Sequence, residues 1–226
     1  MIFIQDFFTR NDCYNENKKI VPQGIVVHST ATPGVMARDW KSRWNKSYAK
    51  KETTKQKCVH AFVDAKYCVQ CLPWDHRGWH GGKGKKGSVN DTHIGFEICE
   101  PNGAKYNKNG TAFEIYNVGE NRHYFEAIWN NSVELCVMLC KEFNLDPSSI
   151  VCHQEAARMG VASNHADVLH WFPLHGKSMD DFRSAVKEKL EQKLYKVQVT
   201  FANQANAEIL AKELNKSGYN ATVVCE

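Results

Sequence analysis

Two short apolar segments that each run into a histidine constrain this chain more than any other feature. Residues 24–27 form the run GIVV, followed by His28, and residues 150–152 form the run IVC, followed by His153. Apolar runs of this length are typical of fully buried strands. Loops at the ends of such strands are free to shape a cleft. The pattern therefore predicts an α/β domain with both histidines at one edge of its sheet.

The other predicted elements alternate between strands and helices as far as residue 190. Residues 59–64, 67–72 and 93–99 have the length and composition of strands. Apolar residues at helical spacing cover residues 125–143 and 178–190. Chains that alternate in this way form layered α/β domains. We therefore expect a central mixed β-sheet flanked by helices.

A second, smaller unit is predicted at the C-terminal end. Residues 197–201 and 221–224 are strand-like, and Asn203 can cap a helix between them. A β-α-β unit of about 30 residues buries little core on its own. The sequence thus predicts a main domain over residues 1–190 and a small unit over residues 194–226.

Charge and the terminal sequence narrow the range of partners. The net charge of +4 is only a weak indication of an anionic partner. The lysine-rich loop at residues 77–87 has no pair of metal-binding carboxylates with it, so nucleic acid is not expected as a substrate. No apolar run is long enough to cross a bilayer, and residues 1–10 lack the pattern of a secretory signal. We expect a protein made in the cytoplasm.

The nine cysteines are expected to be reduced. Their odd number and the lack of a secretory signal argue against a disulfide framework. Cys68 and Cys71 form a lone CxxC pair whose sulfur atoms would point to opposite faces of a strand, which disfavours joint metal binding. Cys136 and Cys140 lie one helical turn apart on an apolar face and are expected in the core.

The histidines at the two strand ends are candidate zinc ligands. Neutral imidazole is the commonest metal ligand in proteins, and a catalytic zinc keeps three protein ligands and one open position. His28 and His153 supply two ligands. On the residues alone, the third remains open among five side chains that follow His153, namely Glu155, His165, Asp167, His170 and His175.

Glu97 is the candidate general base. Metal-assisted hydrolysis needs a group that accepts a proton from the attacking water. Ile94, Phe96 and Ile98 share one face of their strand, so Glu97 projects from the other. Apolar neighbours raise the pKa of a carboxyl group toward values that suit a base. The alternative is an edge-strand glutamate paired with a nearby lysine.

Five motifs occur in a characteristic order along the chain. They are GIVVHST at residues 24–30, VHAF at 59–62, RGWHG at 77–81, NDTHIGFE at 90–97 and VCH at 151–153. Together they resemble the type 2 N-acetylmuramoyl-L-alanine amidases, a family that includes phage endolysins and the peptidoglycan recognition proteins. Residues 162–173 (ASNHADVLHWFP) are similar to the clostridial and clostridial-phage branch.

The resemblance implies hydrolysis of the amide bond between N-acetylmuramic acid and L-alanine in bacterial peptidoglycan, with one bound zinc ion. It implies that His28, His153 and Asp167 are the zinc ligands. Glu97 matches the acidic residue of the strand motif. His165 stands where family members carry a catalytic Lys or Thr, so it either stabilises the oxyanion or replaces Asp167 as the third ligand.

The resemblance extends to substrate contacts and to the small unit. His60, Trp79 and His80 match positions that line the substrate groove in the family. Residues 194–226 resemble the first half of a SPOR domain, which implies wall binding or self-association. An enzyme of this kind is expected to reach the cell wall after release from the cytoplasm and to cause lysis, as endolysins do.

Two other functions share parts of this pattern. A non-catalytic peptidoglycan-binding module usually lacks one metal ligand, whereas all three positions are filled here. A zinc endopeptidase of the stem peptide would use similar chemistry on a different bond, and the family resemblance argues against it.

Overall fold

The computed structural model describes residues 1–48, 57–191, 199–217 and 221–224. The chain divides into two units, Met1–Glu191 and Gln192–Glu226.

The first unit is built on a mixed six-stranded sheet. Its strands are β1 (Ile2–Gln5), β2 (Gly24–Ser29), β3 (Ala61–Val63), β4 (Tyr67–Gln70), β5 (His93–Ile98) and β8 (Ile150–Cys152), in the order β1-β4-β3-β5-β2-β8. Within this sheet, β3 and β4 pair antiparallel and the other neighbouring strands pair parallel. β6 (Lys105–Tyr106) and β7 (Phe113–Ile115) form a separate ribbon. The predicted mixed sheet is confirmed.

The described helices of the first unit are α1 (Asp12–Glu16), α2 (Trp40–Trp44), α3 (Arg122–Phe143), α4 (His153–Met159) and α5 (Met179–Glu191). A further helix, α6 (Gln204–Lys216), lies in the second unit. α3 presents buried apolar side chains at helical spacing, including Phe125, Ile128 and Leu139, to the sheet residues Ile25 and Phe96. Each of these helices is too short or too polar to cross a membrane.

The opposite face of the sheet carries the polar residues of interest. In the pairing of β2 with β5, His28 lies opposite Glu97 and Val26 lies opposite Gly95. Neighbouring residues in register point to the same face of a sheet. A smaller apolar cluster covers the outer part of this face, where the rings of Trp40 and Phe62 stack at 4.8 Å. The sheet thus separates an apolar core on one side from polar groups on the other.

The sequence pattern did not predict β1. It correctly predicted that the sulfur atoms of Cys68 and Cys71 lie on opposite faces of the sheet. β1 pairs in parallel with β4, and Ile2 and Phe3 remain half exposed, so the strand shows no alternation that would reveal it. Cys68 packs in the core beneath α3, whereas Cys71 packs in the cluster on the opposite face. Each of the eight described cysteines is buried and free.

The predicted strands of the small unit are not formed in its described part. α6 begins after Asn203, whose side chain accepts a hydrogen bond from Ala205 N as expected. Residues 199–201 and 221–224 are irregular, and residues 197, 198 and 218 lie outside the described chain. The Asn215 side chain forms hydrogen bonds with both the N–H and the carbonyl of Ala221 (2.9 and 3.0 Å). These bonds occupy the backbone groups that a strand would use for pairing.

The packing of α3 gives a test of the core. Leu139→Ala removes a fully buried side chain, and we expect a loss of about 2–5 kcal/mol in the free energy of unfolding, because the site cannot fully collapse around the cavity. Glu142→Ala, at an exposed position of the same helix, is the matched control. Urea denaturation of both variants measures the difference. Equal stability of the two would contradict the described packing.

Candidate metal centre

Three ligand atoms from distant parts of the chain converge in the first unit. His28 Nδ1 lies 3.0 Å from Asp167 Oδ2 and 3.1 Å from His153 Nδ1. The third side of this triangle, between His153 Nδ1 and Asp167 Oδ2, measures 3.6 Å. Within the described residues, this trio alone gathers three His, Cys, Asp or Glu ligand atoms closely enough to hold a metal ion.

Parallel strand pairing brings the two histidines together. Residues 25–27 of β2 pair with residues 150–152 of β8, so the positions that follow lie side by side. His28 is part of β2, whereas His153 is the first residue of α4. Asp167 comes from the irregular segment after α4. The prediction that two strands end in histidines at one edge of the sheet is therefore correct for β8, while β2 continues one residue past His28.

A hydrogen bond and a salt bridge of Glu155 stabilise the start of α4. Glu155 accepts a hydrogen bond from Cys152 N (2.9 Å), which caps the helix. Arg183 on α5 contacts both carboxylate oxygens of Glu155 at 3.1 Å. Glu155 was one of the candidate third ligands, and these contacts give it a structural role next to His153.

Burial and mutual contact set the charge states of the cluster. Burial lowers the pKa of His28, and the hydrogen bond with Asp167 opposes this effect. Burial alone would raise the pKa of Asp167, but hydrogen bonds with His153 and His28 outweigh it and lower the pKa. The cluster therefore holds a carboxylate next to a neutral imidazole, and such a set of electron-pair donors binds divalent cations.

Glu97 lies on the same face of the sheet, directly across from His28. Its Oε2 atom is buried and has no hydrogen-bond partner among the described residues. Burial raises the pKa of Glu97 well above its usual range, and the charges of Asp167 and Glu100 raise it further. A buried carboxyl group with a raised pKa near possible metal ligands is a candidate for proton transfer.

His165 lies outside the triangle of ligand atoms. Its ring centroid is 4.6 Å from that of His153, and its side chain is exposed. Burial of part of the ring lowers its pKa, and the nearby His153 contributes. The geometry thus groups Asp167, and not His165, with the two histidines.

Two of the three predicted groove residues use their ring nitrogens in contacts within the protein. His60 is fully buried: its Nδ1 accepts a hydrogen bond from Gly95 N (3.0 Å), and its Nε2 donates to the carbonyl of His76 (2.7 Å). His80 is partly buried; its Nδ1 atom lies 3.0 Å from His28 Nε2, and its Nε2 lies 3.3 Å from the carbonyl oxygen of His93. A role of His60 or His80 in the substrate groove stays a prediction.

Trp79 is the third predicted groove residue, and it is partly buried. The Arg77 guanidinium lies 4.3 Å from the centroid of its ring, and its backbone pairs with Cys58. A role of Trp79 in the substrate groove stays a prediction.

The remaining histidine candidates belong to aromatic contacts. His175 stacks on Phe125 with the ring centroids 3.9 Å apart. His170 Nε2 lies 2.8 Å from the Tyr106 hydroxyl, which donates to Glu100 Oε1 (2.6 Å). Glu100 is fully buried, and burial raises its pKa to about 7. The sequence did not single out this network, because Tyr106 and His170 are 64 residues apart and its members share no local pattern.

The fold of the first unit is found in solved amidase structures. The Staphylococcus aureus hydrolase AmiA superposes with a TM-score of 0.59 at 19% identity, covering 84% of this chain and 83% of AmiA. The catalytic domain of XlyA gives a TM-score of 0.55 at 24% identity, covering 82% of this chain and 99% of that domain. At these identities the likeness establishes the fold.

Sequence comparison establishes the family. The chain is similar to the N-acetylmuramoyl-L-alanine amidase CwlH of Bacillus subtilis, with 28% identity over 151 residues, which are 67% of this chain and 51% of CwlH. It thus spans about half the length of that relative. Residues 17–168 match the Amidase_2 family, described as N-acetylmuramoyl-L-alanine amidase. This chain belongs to the Amidase_2 family of N-acetylmuramoyl-L-alanine amidases.

Proposed function

We propose that this protein is a zinc-dependent amidase that hydrolyses the bond between N-acetylmuramic acid and L-alanine in bacterial peptidoglycan. The observation that carries the proposal is the convergence of His28 Nδ1, His153 Nδ1 and Asp167 Oδ2, with Glu97 next to them. Membership of the amidase family supports the choice of bond.

The three ligand atoms fit zinc. Tetrahedral coordination with zinc–ligand bonds of about 2.0–2.1 Å separates the ligand atoms by about 3.3 Å. The observed separations of 3.0, 3.1 and 3.6 Å surround this value. Two histidines and one carboxylate leave a fourth position for water or substrate, as in other catalytic zinc sites. We therefore assign His28, His153 and Asp167 as the ligands of one zinc ion.

Two side chains carry out the proton transfer and the oxyanion stabilisation in this proposal. Bound zinc supplies Lewis-acid chemistry, which polarises the scissile carbonyl and acidifies water. Glu97 accepts the proton of the attacking water at its unpaired Oε2 and delivers it to the leaving amine of L-alanine. His165, exposed above His153, donates a hydrogen bond to the oxygen of the scissile carbonyl.

The proposed setting is the bacterial cell wall. Relatives of this chain are named as N-acetylmuramoyl-L-alanine amidases, and a solved endolysin from Bacillus subtilis shares its fold. We propose that the protein acts on the wall after release from the cytoplasm, in the manner of an endolysin, and that its action lyses cells. The SPOR-like resemblance of the C-terminal unit supports a further role of that unit in wall binding or self-association.

The bond that is cut can be identified directly. On digestion of purified peptidoglycan, we expect new N-terminal L-alanine and no new reducing sugar ends. His153→Ala protein, which lacks a ligand, is the control and should release neither. New amino termini of other stem-peptide residues would identify an endopeptidase, and binding without release would identify a non-catalytic module. Either result would contradict the proposal.

Metal content separates the roles of Asp167 and His165. Chelation should abolish activity until zinc is restored, because the proposed reaction needs the Lewis-acid chemistry of the bound metal. Asp167→Ala should lose zinc. His165→Ala should keep zinc but slow turnover by about 10²–10³-fold, the scale for one oxyanion donor. His123→Ala, whose side chain is 94% exposed on α3, is the control for replacing a histidine. Zinc retained in Asp167→Ala but lost in His165→Ala would reverse the assignment.

Glu97→Gln tests the general base. The amide keeps the shape of the side chain but cannot accept a proton, so turnover should fall at least ~10²-fold. Zinc content and melting temperature should stay close to wild type. Glu142→Gln, on the exposed surface of α3, is the matched control. Turnover of Glu97→Gln near the wild-type value would return Glu97 to a structural role.

Truncation tests the second unit. A chain that stops at Glu191 keeps the whole first unit, so it should fold and cleave soluble muropeptide fragments. Its binding to intact walls, or its self-association, should weaken. Pelleting with purified walls and analytical ultracentrifugation measure the two properties. Aggregation of the truncated chain would show that the second unit is part of the main core.

A further inference from the structure

The His80 side chain contacts His28 and has no role in the proposed reaction. The His80 backbone N–H donates to Asn90 Oδ1 (2.9 Å), and the N–H of Gly81 donates to the same oxygen (2.8 Å). Asn90 is almost fully buried. These two backbone hydrogen bonds therefore fix the loop that carries His80, independently of the contacts of the His80 side chain.

The His80 ring fits against the sheet only because β5 has a glycine there. A Cβ atom on Gly95 would lie 2.4 Å from His80 Nδ1, closer than Cβ contacts occur. A second glycine, Gly78, leaves similar room, since its Cβ would lie 2.8 Å from His80 Cδ2. The sequence thus provides space for an imidazole at this place, next to His28.

The hydrogen bonds of this ring have one consistent direction when His28 Nδ1 binds a metal. The carbonyl oxygen of His93 can only accept, so the Nε2 of His80 carries a proton. A neutral His28 whose Nδ1 binds a metal carries its proton on Nε2, the atom that lies 3.0 Å from His80 Nδ1. His28 Nε2 is then the donor of this hydrogen bond, and His80 Nδ1 is the acceptor.

This contact also sets the orientation of the His28 ring. With Nε2 directed at His80, the Nδ1 atom of His28 faces His153 Nδ1 and Asp167 Oδ2. Without a metal, His28 Nδ1 can donate to the Asp167 carboxylate, which can only accept. With a metal bound by the three atoms, the lone pair of Nδ1 is used for the metal and the Nε2 proton is held by His80.

We propose that His80 is a positioning residue that accepts a hydrogen bond from His28 Nε2 and so holds the His28 ring with its Nδ1 directed at the zinc site. The proposal rests on the metal centre proposed above. Groups that orient a metal-ligating histidine typically change metal affinity by about 10–100-fold when they are removed. His80 acts through His28 and contacts neither the substrate nor the metal.

A pair of nearly isosteric variants tests this role. His80→Asn keeps an acceptor oxygen close to the position of Nδ1, whereas His80→Leu has a similar volume and no acceptor. Zinc affinity, measured by competition with a chromophoric chelator, should fall about 10–100-fold in His80→Leu. In His80→Asn the zinc affinity should stay within about threefold of wild type, a smaller change than the loss expected for His80→Leu. Equal affinities in the two variants, whether both retained or both lost, would overturn the role.

The tautomer of His28 is a second measurement that needs no variant at position 80. Two-bond ¹H–¹⁵N spectra of histidine-labelled wild-type protein, with the His28 signals assigned from a His28→Gln sample, report which nitrogen carries the proton. We expect a proton on Nε2 when zinc is bound. A proton on Nδ1 in the zinc-bound protein would overturn the proposal even if His80→Leu fails to fold.

The failure of this inference differs from the failure of the proposed function. Wild-type protein that binds no zinc would overturn the metal centre and the role of His80 together. Zinc binding and amidase activity that do not depend on an acceptor at position 80 would overturn the role of His80 alone.

Discussion

The structure of the site depends on the parallel pairing of β2 with a neighbour on each side. β5 pairs on one side and places Glu97 across from His28, while β8 pairs on the other side and leads into His153. A register shift of one residue in either pairing would move a side chain to the opposite face of the sheet. The apolar residues that alternate with these polar ones, such as Val27 and Phe96, lie in the core beneath α3 and keep the register in place. The alternation of apolar and polar residues along these strands therefore determines both the core packing and the geometry of the site.

The parts of the fold that could be predicted are those with strong local patterns. β2, β5, β8 and α3 follow from apolar runs or helical spacing, and the placement of Glu97 opposite the apolar face of its strand follows from the period of two. β1 could not be predicted, because a short edge strand with half-exposed apolar residues has no pattern of its own. Residues 199–201 and 221–224 of the small unit do not form the predicted strands, since alternation indicates a strand only where a partner strand can take up its hydrogen bonds.

Within the site, the sequence identified the residues better than their contacts. His28 and His153 follow from their strands, whereas the position of His80 depends on a contact across 52 residues and on the space above Gly95. A motif match assigned His60 and His80 to a groove, but it did not indicate that the ring nitrogens of both residues have partners within the protein. The resemblance favoured Asp167 over His165 as the third ligand, whereas the residues alone left both open, because two residues two positions apart in an irregular segment have no fixed orientation. The coordinates place the Asp167 carboxylate with the two histidines.

The burial of the cysteines has a consequence for where such a protein can work. Cys152 directly precedes His153, but its sulfur lies in the core on the other side of the sheet, and none of the described cysteines is among the three converging ligand atoms. Thiolate ligands are the groups at a zinc site that oxidants attack, whereas imidazole and carboxylate ligands resist such oxidation. A centre built from His28, His153 and Asp167 therefore offers no sulfur to oxidants, and its chemistry is compatible with reducing and oxidising surroundings alike.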